Sequence, residues 1–479
     1  MNRFVFCLIV VTWAGSGRTL CAEDPPATVQ SLTLAECLAR ALANNLDIRI
    51  ERLNPRLENW GVIREQGAFD PVLSAGAQYA DSTEPLSPER ATELGVDRLD
   101  AQSWDFNAGV GGRLPTGTAY ELTGYDTRSE GTLSSDPTHI GFAGITLTQP
   151  LLKNFWLGPN TALIRVARQN RQIARETLQQ QLINTVSDTQ NAYYDLVYAA
   201  EDYKAKVEDL NRARALLSEN RKRLEVGVLS RLEVTQAEAG VAAREEAVLV
   251  AERAIKDSEN ALKRLISSDV REFQGVTLVP VDEPPVAAQE LDLARSVQTA
   301  LSARPDYRRQ RHELEKQGIL VEYNRNQLWP QLDLEGSYGF NGRGGTFGRL
   351  TDDVVGGENP EWSVGLVVSI PLGNRQARAE FEQSRLRQEQ AALALARLEQ
   401  DIIVAVDNAV GRIATNLKRL DATRAATRLA EESLKAEEEK LRAGTSTSFL
   451  VLEAQANLAA ARSAEIRARS DYHRSLVEL

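Results

Sequence analysis

Two stretches of this chain, from Thr161 to Glu225 and from Arg375 to Ala443, contain no proline and are crowded with alanine, leucine, glutamate, glutamine and arginine. That composition sustained over that length predicts unbroken helices, each about 100 Å long at roughly 1.5 Å per residue, longer than an ordinary globular core. Each stretch is interrupted at a glycine, Gly227 in "RLEVGVLSRLEV" and Gly444 in "KLRAGTSTSFLV", and helix-forming sequence then resumes over 231–266 and 449–478. The breaks therefore predict two antiparallel helical hairpins with tips at 226–231 and 443–449. Along the second long helix Ile403, Val406, Val410, Ile413, Leu417 and Leu420 step by three and four, the spacing of a coiled-coil seam.

The two glycines stand 217 positions apart, and they are not the sole internal match. "LTLAECLARALANNLDIR" from Leu32 aligns without a gap on "LDLARSVQTALSARPDYR" from Leu291, an offset of 259 that also sets Pro71 on Pro330 and Tyr79 on Tyr338. "ITLTQPLL" ending at Leu152 matches "LVVSIPLG" ending at Gly373. The sequence thus predicts two repeats, 23–280 and 281–479, each reading helix, strands, long helix, break, second helix.

The strands are visible as period-two alternation. In "QLDLEGSYGF", Leu332, Leu334, Gly336, Tyr338 and Phe340 share one face and Gln331, Asp333, Glu335 and Ser337 the other; "WSVGLVVSI" places Trp362, Val364, Leu366, Val368 and Ile370 together. "PVLSAGAQY", "SWDFNAGVGG", "TAYELTGYD" and "FAGITLTQ" are weaker versions in the first half, and Pro115-Thr-Gly117 reads as a turn between two of them. Alternation by itself fits a soluble sandwich as well as a membrane sheet. A handful of strands with an apolar outer face cannot close a barrel from one chain. Four or six strands per chain, closed by trimerisation, would give twelve or eighteen.

The N-terminal residues bear on the compartment, and the net charge bears on the partner class. Arg3 precedes the apolar run "FVFCLIVVTWAG", and a small-residue stretch follows to Ala22, which reads as a secretory signal peptide over 1–22. The run is shorter than the about 20 apolar residues that a membrane span needs. Lipidation at Cys21 is disfavoured, because Leu20 and Arg18 occupy positions that want a small and an aliphatic residue. Removal of 1–22 would leave Cys37 as the remaining cysteine, excluding an internal disulfide and a cysteine-based metal cluster. The net charge of -11 argues against a nucleic-acid partner, which would call for a basic stripe.

The motifs "LTLAECLARALANN", "LTQPLL", "RLEVGVLSRLEVTQAEA", "ALSARPDYR" with "NQLWPQLDLEGSYG", "VSIPLGNRQARAE" and "LRAGTSTSFLVLEAQANL", in this order, resemble the TolC-like outer-membrane efflux protein family over essentially the whole mature length. The resemblance implies an α+β membrane protein: a homotrimer with a transmembrane β-barrel in the outer membrane of a Gram-negative-type cell, continued by a periplasmic tunnel of coiled-coil hairpins. It further implies a passive channel of a tripartite efflux or secretion system, fed by an inner-membrane pump through a periplasmic adaptor, with no cofactor or metal. Carried onto this chain, Gly227, Val228, Leu229 and Ser230, with Gly444, Thr445 and Ser446, stand where family members meet the adaptor. Glu453 stands where acidic residues ring the closed aperture, with Glu233 the next candidate and Leu450 in place of a second acid. The segment 80–139 is longer than usual, leaving open whether the strands at 102–128 join the barrel, and no tail is expected beyond Leu479.

Other function classes find little support. His139, His312 and His473 have no nucleophile or ligand spacing beside them, so an enzyme is not indicated. "GRGGTFG" from Gly342 falls between strands and reads as a flexible outer loop rather than a phosphate cradle. A periplasmic adaptor, or a coiled-coil structural protein without a channel, is the alternative; an adaptor would need one hairpin flanked by compact β domains, whereas two hairpins alternate here with membrane-type strands.

Overall fold

The computed structural model describes residues 28–132, 134–282 and 291–479; the expected signal peptide over 1–22, with Cys21, lies outside them. In chain order the helices are α1 (Leu34–Asn44), α2 (Leu46–Glu51), α3 (Asn54–Gln66), α4 (Pro88–Leu94), α5 (Leu157–Asn160), α6 (Ala162–Glu225), α7 (Arg231–Ile266), α8 (Leu293–Ala303), α9 (Pro305–Asn326), α10 (Phe347–Gly356), α11 (Arg375–Arg442) and α12 (Ser448–Glu478). The strands are β1 (Thr28–Leu32), β2 (Val72–Pro85), β3 (Arg98–Arg113), β4 (Ala119–Gly131), β5 (Ser134–Pro150), β6 (Val276–Pro280), β7 (Gln331–Gly344) and β8 (Pro360–Ser369). Both long helices and both return helices thus form within a residue or two of where the proline-free runs begin and end. The internal matches hold locally as well: α1 gives way to α2 at Asn45, and α8 to α9 at the aligned Arg304.

Contacts divide the described residues into two compact units. The first comprises 28–43, 189–282 and 425–470. Its base is the parallel pair β1 and β6, in register Thr28 to Val276, which the sequence reading did not anticipate. Over it pack Cys37, Ala41, Tyr193, Leu196, Leu262 and Ile266, an apolar core. Glu259 is fully buried there; its Oε1 accepts the Leu278 N–H at 2.9 Å, and its Oε2 faces Lys256 at 3.1 Å and Lys263 at 3.7 Å. Pairing and hydrogen bonding are what let a carboxylate remain in such a place.

The hairpins zip by repeated small and branched residues. Leu210, Ala213 and Leu217 of α6 meet Val234, Ala237 and Val241 of α7. In the second hairpin Leu434 and Leu441 of α11 meet Val451, Ala454 and Leu458 of α12, with Leu216 of α6 against them. Each of Leu217, Val234, Ala237 and Val241 finds its counterpart 217 residues on. The polar faces match too, with charges exchanged: Arg214 pairs with Glu245 at 2.7 Å, and Glu431 with Arg462 at 2.6 Å.

The second unit comprises 44–132, 134–188, 291–424 and 471–479. It holds an antiparallel six-stranded sheet of order β2-β3-β4-β5-β7-β8. The strands at 102–128 therefore do join it, β3 and β4 lying between β2 and β5 with thirteen-residue registers or longer on the β2 side. The turn at Pro115 to Gly117 is present, Gly117 taking φ +92. Two expectations are corrected. The stretch from Gly342 is no flexible loop: its first residues finish β7, then Thr346 accepts the Arg349 N–H and starts α10. The seam of α11 is rotated by a residue in part, burying Ile402, Val406, Ala409, Ile413 and Leu420 while Ile403 is 42% exposed. Both series follow the same three-four rhythm, so spacing could not separate them.

Candidate docking tips and membrane sheet

At each tip the chain leaves the helix by the same route. Gly227 N–H bonds Leu224 C=O at 3.0 Å and Val228 N–H bonds Arg223 C=O at 3.0 Å; Gly444 N–H bonds Leu441 C=O at 3.2 Å and Thr445 N–H bonds Lys440 C=O at 2.9 Å. Both are Schellman closures, with the glycines at φ +73 and +79, a conformation that costs a Cβ-bearing residue. Three residues on, a hydroxyl starts the return helix: Ser230 accepts from Glu233 N–H at 3.4 Å, and Thr447 from Leu450 N–H at 3.5 Å.

A cleft of about 410 Å³ in the first unit gathers Val228, Leu229, Ser230 and Glu233 of one tip with Gly444 and Ser446 of the other. Val228 is 71% exposed, whereas Leu229 packs into the α6–α7 core. Ser446 donates to Glu437, and that bond, with another from Lys440, holds the Glu437 carboxyl below its ordinary range. Glu233 turns its Oε2 into a buried position with no hydrogen-bond partner, while Glu453 is exposed on α12. The two acidic candidates thus have different surroundings, and the cleft includes Glu233 and leaves out Glu453. Sequence reasoning missed Asn220, which is fully buried and joined to Ser448 at the tips. A signal existed: Asn220 continues the three-four stepping of Leu210, Ala213 and Leu217.

In the second unit the strand register sorts the sheet into two chemistries. Leu73, Val110, Leu122, Ile145, Tyr338 and Trp362 lie side by side across all six strands. The adjacent row, on the opposite face, reads Val72, Gly111, Glu121, Thr146, Ser337 and Ser363. Val364, Leu366 and Val368 extend the apolar face and are 58% exposed or more. Asp105, Asp333, Glu335 and Glu361 fall on the other. A sheet with an exposed apolar face and a polar face opposite has the strand pattern of an outer-membrane barrel wall. Among the described residues no helix is long and apolar enough to cross a membrane.

The sequence profile described as "Outer membrane efflux protein" matches residues 37–268 and 296–479. The chain belongs to the outer membrane efflux protein family. Such a protein is an efflux channel of β-barrel and coiled-coil build, located in the outer membrane with its helical part in the periplasm. The chain is 25% identical over 367 residues to the outer membrane efflux protein BepC of Brucella suis biovar 1 (strain 1330), covering 73% of this chain and 74% of that one. Its fold is that of the outer-membrane channel OprN, with TM-score 0.70 at 18% identity over 93% of this chain and 88% of the other. The Campylobacter jejuni CmeC outer membrane channel gives 0.65 at 18% identity, over 93% and 84%.

Proposed function

We propose that this efflux-family protein is a homotrimeric channel of a tripartite efflux or secretion system. It passively conducts substrates that an inner-membrane pump delivers through a periplasmic adaptor. The observation that carries the reading is the pair of open sheet edges: β2 and β8 are exposed at every position. Unpaired backbone groups cannot remain in lipid, so an edge must find a partner. With six strands, β2 and β8 run in opposite directions, and β8 of one copy can pair antiparallel with β2 of the next. Three copies then close an eighteen-stranded barrel.

In this reading the mature chain, after loss of 1–22, is two repeats, 23–280 and 281–479. The matched Schellman tips and the charge-exchanged pairs Arg214–Glu245 and Glu431–Arg462 support the duplication. The tip residues Gly227, Val228, Leu229 and Ser230, with Gly444, Thr445 and Ser446, dock the adaptor. Glu453, open on α12, lines the periplasmic aperture as a ring of three. Conduction requires no bond chemistry, only polar walls and a gate.

The test is the assembly state of the mature protein extracted from outer membranes in mild detergent. A stable species of three chain masses is expected; a monodisperse monomer overturns the architecture.

A further inference from the structure

The far rim of the sheet is uneven. β2 and β3 stay paired out to Pro85 and Arg98, but β7 stops at Gly344 and β8 starts only at Pro360, and α10 occupies the interval. The face on which α10 lies is fixed by glycines. A Cβ at Gly342 would meet Leu350 O at 2.7 Å, at Gly344 the Arg349 Cβ at 2.9 Å, and at Gly141 the Leu350 Cδ2 at 3.1 Å. Gly342 shares its face with Tyr338 and Phe340, two and four residues back, because side chains alternate along a strand. The helix is therefore seated on the apolar, outward side, opposite the face of Asp105, Glu121 and Glu335.

Its own residues divide into three edges at about 100° per residue. Leu350, 4% exposed, and Val354 sit on the glycine track. Phe347, 61% exposed, and Val355, 81% exposed, form the next edge and are uncovered. Arg349, Asp352 and Asp353 make up the third. The rim beside the helix carries the amphipathic aromatics of a membrane boundary: Tyr79 and Trp104 are 5.1 Å apart, the Arg128 guanidinium stands 4.7 Å over the Trp104 ring, and His139 lies 6.4 Å from Phe347.

We propose that α10 is an interfacial helix that lies along the outer rim of the barrel, at the boundary of headgroups and acyl chains. Phe347 and Val355 dip into lipid, and Arg349 and Asp352 remain in the headgroup layer. Its occupant is the lipid of the outer leaflet, because α10 lies on the same face of the sheet as the apolar row Leu122, Ile145, Tyr338 and Trp362, beyond a belt in which His139, beside Phe347, pairs with Asp126 at 3.0 Å. A helix this short would bind a membrane weakly when free; held at both ends by β7 and β8, it needs no independent affinity. Its role is to set the depth of the barrel. This rests on the barrel reading above.

The test places a fluorescent label on Val355→Cys, Asp352→Cys and Val364→Cys, each with Cys37→Ser, in the mature protein reconstituted into phosphatidylcholine vesicles. Quenchers are doxyl-labelled phosphatidylcholine and aqueous iodide. For position 355, doxyl quenching roughly threefold stronger than for position 352 is expected, with the order reversed for iodide. Equal iodide quenching at 352 and 355, or protection of 355 from both quenchers by a neighbouring copy, overturns the proposal while position 364 remains quenched by doxyl. Loss of doxyl quenching at 364 as well overturns the barrel itself.

Discussion

The Ser448 hydroxyl donates to Asn220 Oδ1 across 2.8 Å, joining α12 to α6 through two side chains that are 1% and 0% exposed. Asn220 Nδ2 is buried there without a partner, so this bond is what satisfies the amide on its other side. Ser448→Ala would leave the amide unmatched at a cost of about 1–3 kcal/mol, whereas the double change Asn220→Leu with Ser448→Ala removes both polar groups and should recover most of it. Denaturant midpoints followed by helical circular dichroism would check this. Equal midpoints for wild type and the single variant would remove the bond from the account of tip stability.

Nothing lies within 4 Å of a Cβ built at Gly227 or at Gly444. Gly227→Asp should therefore cost only the left-handed backbone conformation, about 1 kcal/mol, too little to unfold the assembly. Export by the complete system is expected to fall sharply at unchanged channel abundance, because the charge stands on the proposed docking surface. Normal export would leave Gly227 a helix cap and nothing more.

Glu453 is exposed on the single chain, free to face a shared axis, while Glu233 is drawn into the cleft. Three like carboxylates at a narrow aperture favour cations. Single-channel recordings of Glu453→Gln should show weaker cation preference and weaker block by polyvalent cations from the periplasmic side. Unchanged selectivity and block would move the search to Glu233.

Burial pushes the Cys37 thiol up from 9.0 to about 11, against a smaller lowering by Arg40, with Glu36 and Asp282 adding to the rise. The folded value lies above the unfolded one, so the contribution to stability is fully present below pH 9 and is lost as the pH rises toward 11. Denaturant midpoints measured across that range should fall more steeply for the wild type than for Cys37→Ala. Maleimide at neutral pH should label Cys37 only after unfolding; rapid labelling of the folded protein would contradict the burial.

The helices, their ends and both tips were legible in the sequence because their causes are local. Proline-free runs permit α6 and α11, and Gly227 and Gly444 supply the left-handed residue that ends them. Strand identity and the two faces were legible for the same reason, since alternation is a property of one strand. Partners were not. Whether β3 and β4 enter the sheet, and that β1 pairs with β6, depends on hydrogen bonds between residues far apart in the chain. The α11 seam shows the limit in miniature: Ile402 and Ile403 both satisfy a three-four rhythm, and which of them is buried depends on what packs against α11. Likewise the different surroundings of Glu233 and Glu453 were not legible from their places near the tips, and Asn220, though it continues the three-four stepping of α6, carries a polar side chain that by itself points to solvent. Burial, which made one an orphaned carboxylate in a cleft and another an interior hydrogen bond, is set by what packs against each residue, and that belongs to the tertiary structure.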